Sequence, residues 1–458
     1  MSVTPQSPRP TPSLKRGMLT GGVWILFGKS LTVLCTLVTE ALLSRILDRD
    51  QYGVYVIAFS LLSFASITAT LGLHHTVLRF VAEALGIDKP ARARAAITKV
   101  YRWAFVSCVV TMGLLALGPG AFLARRVWDA PELAGSMGAL AVWAVLISFQ
   151  TITSESFRGF KDLRFAALFG GVVTGLLNVA FLTLIFLGWG HTTIGVVLRV
   201  AVIAATLSLG LGTFVLYRTK VRPLPRDPDA ITNRELFAVT LPLWVVMFVN
   251  NFVLNADRWI LGAFAGKEDV AIYGAAARLV LLVSQPLILI NLLVPPYIAE
   301  LYAKGETLRL ERILRQTAAL AGLPALVVLF LFIFFGGPVL GTVYPAAFAA
   351  GAPILAVLSV AKTINVLTGS AGITMAMTGH QNVMMRISVV AGVLSVAGCY
   401  FAAQRWGALG VAVAASGGPT LNFLAVWLAT KKYTGMWTHP SLPSLGEIRD
   451  LIGHLRRR

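Results

Sequence analysis

Apolar segments of about 20 residues, each long enough for one helix to span a bilayer, recur along this chain. Charged residues make up only 13% of the sequence, whereas soluble domains carry roughly 25%. The pattern predicts an all-α polytopic membrane protein. Its twelve transmembrane helices are expected at 20–44, 53–73, 103–123, 136–156, 165–187, 193–216, 236–264, 272–294, 317–336, 350–376, 387–404 and 408–430.

Short matches relate the first half of the chain to the second. Gly53-Val54-Tyr55 corresponds to Ala271-Ile272-Tyr273, 218 positions later. Similar offsets relate four further pairs: 80–83 with 297–300, 127–130 with 343–346, Gly159 with Gly379, and 194–196 with 409–411. These matches predict two six-helix repeats, an organisation typical of transporters that alternate access around a midplane site.

Basic residues are distributed unequally between alternate loops. Of the 39 Lys and Arg residues, 28 lie in the two terminal segments and the loops on the same side, against 6 in the opposite loops. Cytoplasmic loops carry the excess of Lys and Arg, so both termini are expected in the cytoplasm and the two repeats are parallel. Anionic phospholipids suffice as partners for the net charge of +19, and no nucleic acid is required.

The predicted domain organisation follows from these helices. It comprises a disordered cytoplasmic tail (1–19), an N-lobe (20–216), a proline-containing cytoplasmic linker (217–235), a C-lobe (236–430) and a basic cytoplasmic tail (431–458). Residues 89–99 and 308–315 are expected to form short helices on the membrane surface.

No motif of the chain indicates catalysis or a cofactor. The sequence contains no Walker-type phosphate loop and no HExxH motif. The spacing of Cys35, Cys108 and Cys399 fits neither a zinc site nor a disulfide framework. We therefore expect a protein that is not an enzyme and has no catalytic residue, metal site or cofactor.

Five basic residues fall inside the predicted spans: Lys29, Arg199, Arg258, Arg278 and Lys362. A charge near the centre of a membrane helix costs at least about 2.5 kcal/mol, so such residues need a partner, a watery cavity or a ligand. The cations outnumber the acids in the spans. Because Lys and Arg are the usual phosphate ligands, this excess favours a hydroxyl-bearing anion such as a phosphorylated sugar.

A cationic, substrate-binding cavity is predicted from residues in four spans: Lys29, Arg278, Lys362, Asn251, Asn255 and Asn365. Lys29 shares one helix face with Thr32, Thr36 and Glu40. Two alternatives stay open. Lys29 snorkels towards the cytoplasm, or Lys362 forms an internal salt bridge.

A gate or coupling site is predicted from charges at equivalent positions of the repeat. Arg258 lies 218 positions after Glu40, and Asp257 precedes it. Opposite charges at such positions favour a gate formed by Glu40, Asp257 and Arg258. The alternative is that they are unrelated residues near helix ends.

Two segments resemble a known family. Residues 43–55 (LSRILDRDQYGVY), with Gly72-Leu73 and Arg79, resemble the opening of polysaccharide-transporter proteins. Residues 255–262 (NADRWILG), with Ile272-Tyr273, are similar to the start of that family's second half. These proteins are the Wzx-like O-antigen and exopolysaccharide flippases of the multidrug/oligosaccharidyl-lipid/polysaccharide (MOP) exporter superfamily.

The resemblance implies a V-shaped pair of six-helix lobes in the inner (cytoplasmic) membrane. It implies alternating-access translocation of a polyprenyl-(pyro)phosphate-linked oligosaccharide from the inner to the outer leaflet, for lipopolysaccharide or other cell-surface polysaccharide biosynthesis. A polysaccharide polymerase or glycosyltransferases are further candidate partners. Two alternatives stay open: a cation-coupled drug or metabolite antiporter of the same fold, and a non-transporting membrane scaffold for glycosyltransferases.

Overall fold

The computed structural model describes residues 12–227 and 231–441. Within these residues every regular element is a helix and no strand is present. Ten of the helices are long and apolar enough to cross a membrane. The predicted all-α, multi-pass membrane fold is therefore confirmed.

The chain divides into two compact units. The first unit contains the chain up to Gln51 and the range Ala58–Phe252. The second unit contains Tyr52–Ile57 and the chain from Val253 onwards.

The first unit is built from ten helices of the described chain, one of which also supplies Tyr52–Ile57 to the second unit. They are α1 (Pro12–Ile46), α2 (Arg49–Thr70), α3 (Leu73–Gly86), α4 (Pro90–Ala116), α5 (Pro119–Arg126), α6 (Pro131–Gly135), α7 (Met137–Gly159), α8 (Leu163–Ala167), α9 (Val173–Trp189) and α10 (Ile194–Leu216). Two π-helical turns, Leu168–Val172 and Tyr217–Val221, follow α8 and α10.

Helix α11 (Asn233–Phe264) begins in the first unit and ends in the second. The other helices of the second unit, within the described residues, are α12 (Lys267–Leu293), α13 (Pro295–Ala303), α14 (Thr307–Val343), α15 (Ala352–Thr368), α16 (Ala371–Met377) and α17 (Gln381–Thr434). A 3-10 turn, Ala346–Gly351, precedes α15.

The difference between ten apolar helices and twelve predicted spans has two sources. Helix α17 is 54 residues long and contains both 387–404 and 408–430, separated at Gly407, whose φ is 55°. Helix α11, which covers the predicted span 236–264, is not among the ten.

Three expectations about helix ends are wrong. Residues 89–99 and 308–315 do not form separate surface helices, because they are the first turns of α4 and α14. Polar, charged residues continue a helix well, and Pro90 stands at the first helical position, where proline is tolerated, so it does not interrupt α4. Helix α1 begins at Pro12, so residues 12–19 of the expected disordered tail are helical. Residues 1–11 and 442–458 of the two predicted tails lie outside the described residues.

The backbone conformation shows the same repeat as the sequence matches between the two halves of the chain. Residues with positive φ recur at offsets of 217 or 218 in three pairs: Asp88 with Gly305, Lys161 with Gly379, and Gly190 with Gly407. Non-glycine residues rarely adopt this conformation. Because Asp88 and Lys161 adopt it where the second half has glycine, the two halves share their chain turns.

The described part of the predicted linker 217–235 packs against α4. Arg94 Nη1 donates to the backbone oxygen of Leu224 at 2.6 Å. The Lys99 ammonium donates to the backbone oxygen of Ile231. Arg92 pairs with Glu235 at the start of α11. Helix α4 therefore holds both ends of the connection that leads into α11.

Candidate functional site

The second unit brings together charged side chains from α11 and α15. Asp257 and Arg258 are adjacent on α11, and Lys362 of α15 interacts electrostatically with both. The side chains of Asp257 and Arg258 are only 15% and 25% exposed, and Lys362 is half-buried. Together with Asn255 and Tyr273, these residues form what we call the polar cluster.

The Asp257 carboxylate is held by neighbours on two helices. The hydroxyl of Tyr273, a fully buried residue of α12, donates to Asp257 Oδ2 at 2.6 Å. The backbone N–H of Arg258 donates to Oδ1 at 2.9 Å, and Arg258 Nη1 lies 3.8 Å from the same oxygen. Both carboxylate oxygens are therefore engaged, which fixes the negative charge in one place.

The Arg258 guanidinium is fixed at one end only. Its Nη1 donates to the Leu254 backbone oxygen at 3.1 Å and to Asn255 Oδ1 at 3.4 Å. No described residue accepts a hydrogen bond from Nε or Nη2. An arginine has five N–H donors, so the unused edge is available to an acceptor that arrives from outside the chain.

Lys362 adds a positive charge that the cluster does not neutralise. Among the described residues it makes no ion pair and only a longer-range interaction with Asp257. This argues against the alternative of an internal salt bridge. The polar cluster therefore contains two cations and one carboxylate, a formal surplus of one positive charge.

The remaining predicted residues of α11, α12 and α15 lie near the cluster in sequence, and Asn251 and Arg278 take part in interactions of their own. Arg278 lies five residues beyond Tyr273 on α12, about 7.5 Å further along the helix axis. Asn251 lies one turn before Asn255 and belongs to the first unit. Asn365 lies three residues beyond Lys362 on the same face of α15. Arg278, Asn251 and Asn365 are half-buried, and they stay predicted ligands.

The predicted polar stripe of α1 does not behave as one surface. Thr32 Oγ1 donates to the Gly28 backbone oxygen at 2.7 Å, and Thr36 Oγ1 donates to the Thr32 backbone oxygen at 2.9 Å. A Cβ built on Gly171 would lie 3.3 Å from the Thr32 methyl group, so Thr32 packs against the broken start of α9. Both threonine hydroxyls are therefore satisfied within their own helix.

The two ends of that stripe have opposite environments. Lys29 is exposed, whereas Glu40 is 2% exposed and takes part in contacts of its own. Glu40 belongs to the first unit, and Asp257 and Arg258 belong to the second. The gate formed by these three residues stays a prediction.

Sequence reasoning missed Tyr273 as a member of the cluster. It used this residue only as a marker of the repeat, opposite Tyr55. The available signal was chemical, because a tyrosine buried in a membrane helix needs a partner for its hydroxyl group. An acid within the preceding span was the natural candidate for that partner.

A second missed feature is the hydrogen-bond network around Gln150 in the first unit. Gln150 Nε2 donates to the Phe169 backbone oxygen at 2.9 Å and to Thr174 Oγ1 at 2.5 Å. These contacts lie beside Gly171, whose φ of 152° breaks the helix between α8 and α9. Gln150 therefore satisfies a carbonyl group in the π-helical turn at the break.

Comparison with known proteins identifies the family of this chain. The model of a family described as polysaccharide biosynthesis protein matches residues 18–302, which is more than half of the chain. The chain belongs to this family. The model of a second family, MatE, matches residues 242–401 of this chain. A search of curated protein sequences finds no significant match.

Solved structures share the fold of this family member. An inward-facing multidrug resistance MATE family transporter of the MOP superfamily has a TM-score of 0.73 at 16% identity, covering 88% of this chain and 94% of its own. The lipid II flippase MurJ in an inward closed conformation has a TM-score of 0.69 at 12% identity, covering 90% and 87%. A MOP superfamily transporter from Pyrococcus furiosus, with a TM-score of 0.60 at 17% identity, covers 92% and 96%.

These comparisons confirm the predicted resemblance to the MOP superfamily and its fold. The prediction of a transport protein rather than an enzyme agrees with them. For the Pyrococcus furiosus transporter, reverse polarity of the binding pocket suggests a different function.

Proposed function

We propose that this chain is a flippase that moves a polyprenyl-(pyro)phosphate-linked oligosaccharide from the inner to the outer leaflet of the cytoplasmic membrane by alternating access. Both termini lie in the cytoplasm in this proposal. The observation that carries it is the surplus positive charge of the polar cluster, in which Arg258 and Lys362 face one carboxylate, Asp257.

The charge balance favours an anionic substrate on energetic grounds. Two unit charges 4 Å apart interact by about 4 kcal/mol at an effective dielectric constant of about 20. A phosphate group beside Lys362 gains an attraction of that order and can accept from the unused edge of Arg258. An organic cation at the same place would be repelled by a similar amount. The cluster therefore supports a phosphate-bearing substrate over a cationic drug.

Four members of the cluster have distinct roles in this mechanism. Lys362 supplies mobile charge, and Arg258 supplies oriented N–H donors. Asp257, held by Tyr273, positions Arg258 and keeps the empty site from carrying two uncompensated cations. Outward movement of about two negative charges gains roughly 4–5 kcal/mol at an inside-negative potential of 100 mV. Lys29 and Arg278 are further proposed phosphate ligands, and their contributions are testable one at a time.

The proposal is tested in cells that depend on this chain for display of a surface glycan. We expect Lys362→Met, alone and combined with Lys29→Met, to abolish display while the protein still accumulates in the membrane. Lys304→Met is the matched control. Lys304 is exposed, lies at the C-terminal end of α13, and pairs with Glu300 of the same helix. Normal display by the Lys29/Lys362 double variant at normal abundance would refute the cationic site.

Cation-coupled antiport of a drug or metabolite is the second candidate function. The MatE match over residues 242–401, which includes the whole polar cluster, favours it. In that case Asp257 would carry the coupling cation. Purified protein in proteoliposomes separates the two functions, because export of a cationic dye without movement of lipid-linked oligosaccharide supports antiport alone. A scaffold role would instead leave glycan display intact in every cluster variant.

A further inference from the structure

A groove of about 500 Å³ runs between α9 and α10 in the first unit. All of its lining residues are apolar, among them Phe181, Ile185 and Trp189 of α9 and Val196 and Ile203 of α10. From Phe181 to Trp189 the groove follows about 12 Å of helix. Its volume lies within the range of ordinary small-molecule sites, roughly 300–1,000 Å³. The polar cluster of the second unit has no part in it.

One charged residue of α10, Arg199, lies beside the groove without being one of its lining residues. Arg199 lies three residues after Val196 and four before Ile203, so the three side chains project from the same side of the helix. Arg199 Nε donates to the Gly195 backbone oxygen at 3.1 Å. In the described part of the chain no carboxylate pairs with Arg199, and the side chain is exposed. The groove therefore combines an apolar channel with one unneutralised cation at its side.

We propose that this groove binds the lipid carrier, with one polyprenyl chain in the apolar channel and its phosphate on Arg199. This inference rests on the proposed function for the identity of the carrier. Complementary charge favours an anionic amphiphile, because Arg199 supplies N–H donors suited to phosphate oxygens. An uncharged hydrocarbon would leave that cation without a partner.

The shape of the groove favours a polyprenyl phosphate over a phospholipid. The channel is a single furrow between two helices, which matches a ligand with one hydrocarbon chain per phosphate. A diacyl phospholipid would place one of its chains outside the channel. We therefore assign the site to the single-chain carrier.

Two glycines allow a matched test of occupancy. A Cβ at Gly188, which lines the groove, would meet no atom within 4 Å, so Gly188→Leu fills the channel without a clash. A Cβ at Gly210, further along α10 and outside the groove, also meets no atom within 4 Å. Gly210→Leu is therefore the control for adding the same side chain to a membrane helix.

The experiment measures binding of undecaprenyl monophosphate to the purified full-length protein by native mass spectrometry. We expect Gly188→Leu to weaken binding at least about tenfold. The added side chain displaces part of the polyprenyl chain from the groove, and loss of two buried methylene groups, at about 0.8 kcal/mol each, corresponds to that factor. Gly210→Leu should bind as wild type does. Arg199→Gln should weaken binding of undecaprenyl monophosphate and leave binding of undecaprenol unchanged. Ile203→Trp, at the groove wall, replaces Gly188→Leu should that variant fail to accumulate.

Equal binding of undecaprenyl monophosphate by the wild type, Gly188→Leu and Arg199→Gln would overturn the proposal. Displacement of the probe by an equal concentration of phosphatidylglycerol would also overturn it, because the site would then be a phospholipid site. The assay contains no oligosaccharide and no transport step. If wild-type protein binds the probe but glycan display does not depend on the polar cluster, the proposed function fails and the groove stands. If wild-type protein does not bind the probe but glycan display depends on the polar cluster, the groove fails and the proposed function stands.

Discussion

Replacing Asp257 with asparagine tests the electrostatics of the polar cluster most directly. The substitution keeps the size of the side chain and an oxygen that accepts from Tyr273, but it removes the negative charge. Oδ1 lies 3.8 Å from Arg258 Nη1, so the lost attraction is roughly 4 kcal/mol at an effective dielectric constant of about 20. Because a half-buried cation loses its counter-charge, we expect the free energy of unfolding to fall by about 3–5 kcal/mol.

A second substitution in the same protein isolates the contribution of Lys362. In Asp257→Asn, Arg258 and Lys362 repel each other without a carboxylate between them. Adding Lys362→Met removes one of the two cations, so we expect part of the lost stability to return. A double-mutant cycle should give a coupling energy of about 0.5–3 kcal/mol between positions 257 and 362.

The assay is equilibrium or thermal unfolding of the purified protein in detergent, without substrate. Glu306→Gln is the control, because Glu306 pairs with Arg309 at 3.0 Å on an exposed surface and should contribute no more than about 1 kcal/mol. An Asp257→Asn variant as stable as wild type would refute the reasoning. Strict additivity of the two substitutions would show that Lys362 does not interact with the carboxylate.

Two further predictions concern other parts of the chain. Gly369 has a φ of 67°, and a Cβ there would lie 2.2 Å from the Thr438 backbone oxygen. Gly190 also has a positive φ, but a Cβ there would meet no atom within 4 Å. Gly369→Ala should therefore lower the melting temperature more than Gly190→Ala does. Burial of His74, and secondarily the charge of His75, lowers the pKa of His74 to about 4. The unfolded state then binds the extra proton first as pH falls below about 6.5, so stability is complete above that pH and declines towards pH 4, by about 2–3 kcal/mol at pH 4.5. His74→Gln should show a smaller loss of melting temperature between pH 7.5 and pH 4.5 than wild type, and an equal loss would contradict the assignment.

Hydropathy predicted where the chain crosses the membrane but not where its helices end. Apolar runs report burial in lipid, and a helix that leaves the bilayer continues as long as its residues favour helix. This is why α4 and α14 begin in charged sequence, at Pro90 and Thr307. Gly407, the break inside α17, lies between the predicted spans 387–404 and 408–430, and its φ of 55° is one that glycine adopts readily.

The candidate site was predictable as a set of residues but not as an arrangement. The cost of charge in a membrane helix singled out Asp257, Arg258 and Lys362 from the sequence alone. Their proximity depends on the tertiary arrangement that brings Lys362 of α15 near residues of α11, about a hundred positions away, and no local pattern encodes it. The hydrogen bond of Thr32 is an arrangement that local sequence does encode. A threonine in a helix commonly donates to the carbonyl group four residues earlier, as Thr32 does to Gly28.

The contacts between α4 and the connection to α11 have a consequence for sequence variation. Arg94 and Lys99 bind main-chain oxygens, at Leu224 and Ile231, and these oxygens are present whatever side chains the connection carries. Point substitutions at those two positions should therefore leave the attachment intact. Insertions or deletions between them would move both acceptors out of register. Among related proteins, the residue types between positions 224 and 231 should accordingly vary widely, whereas the number of residues in this segment should vary little.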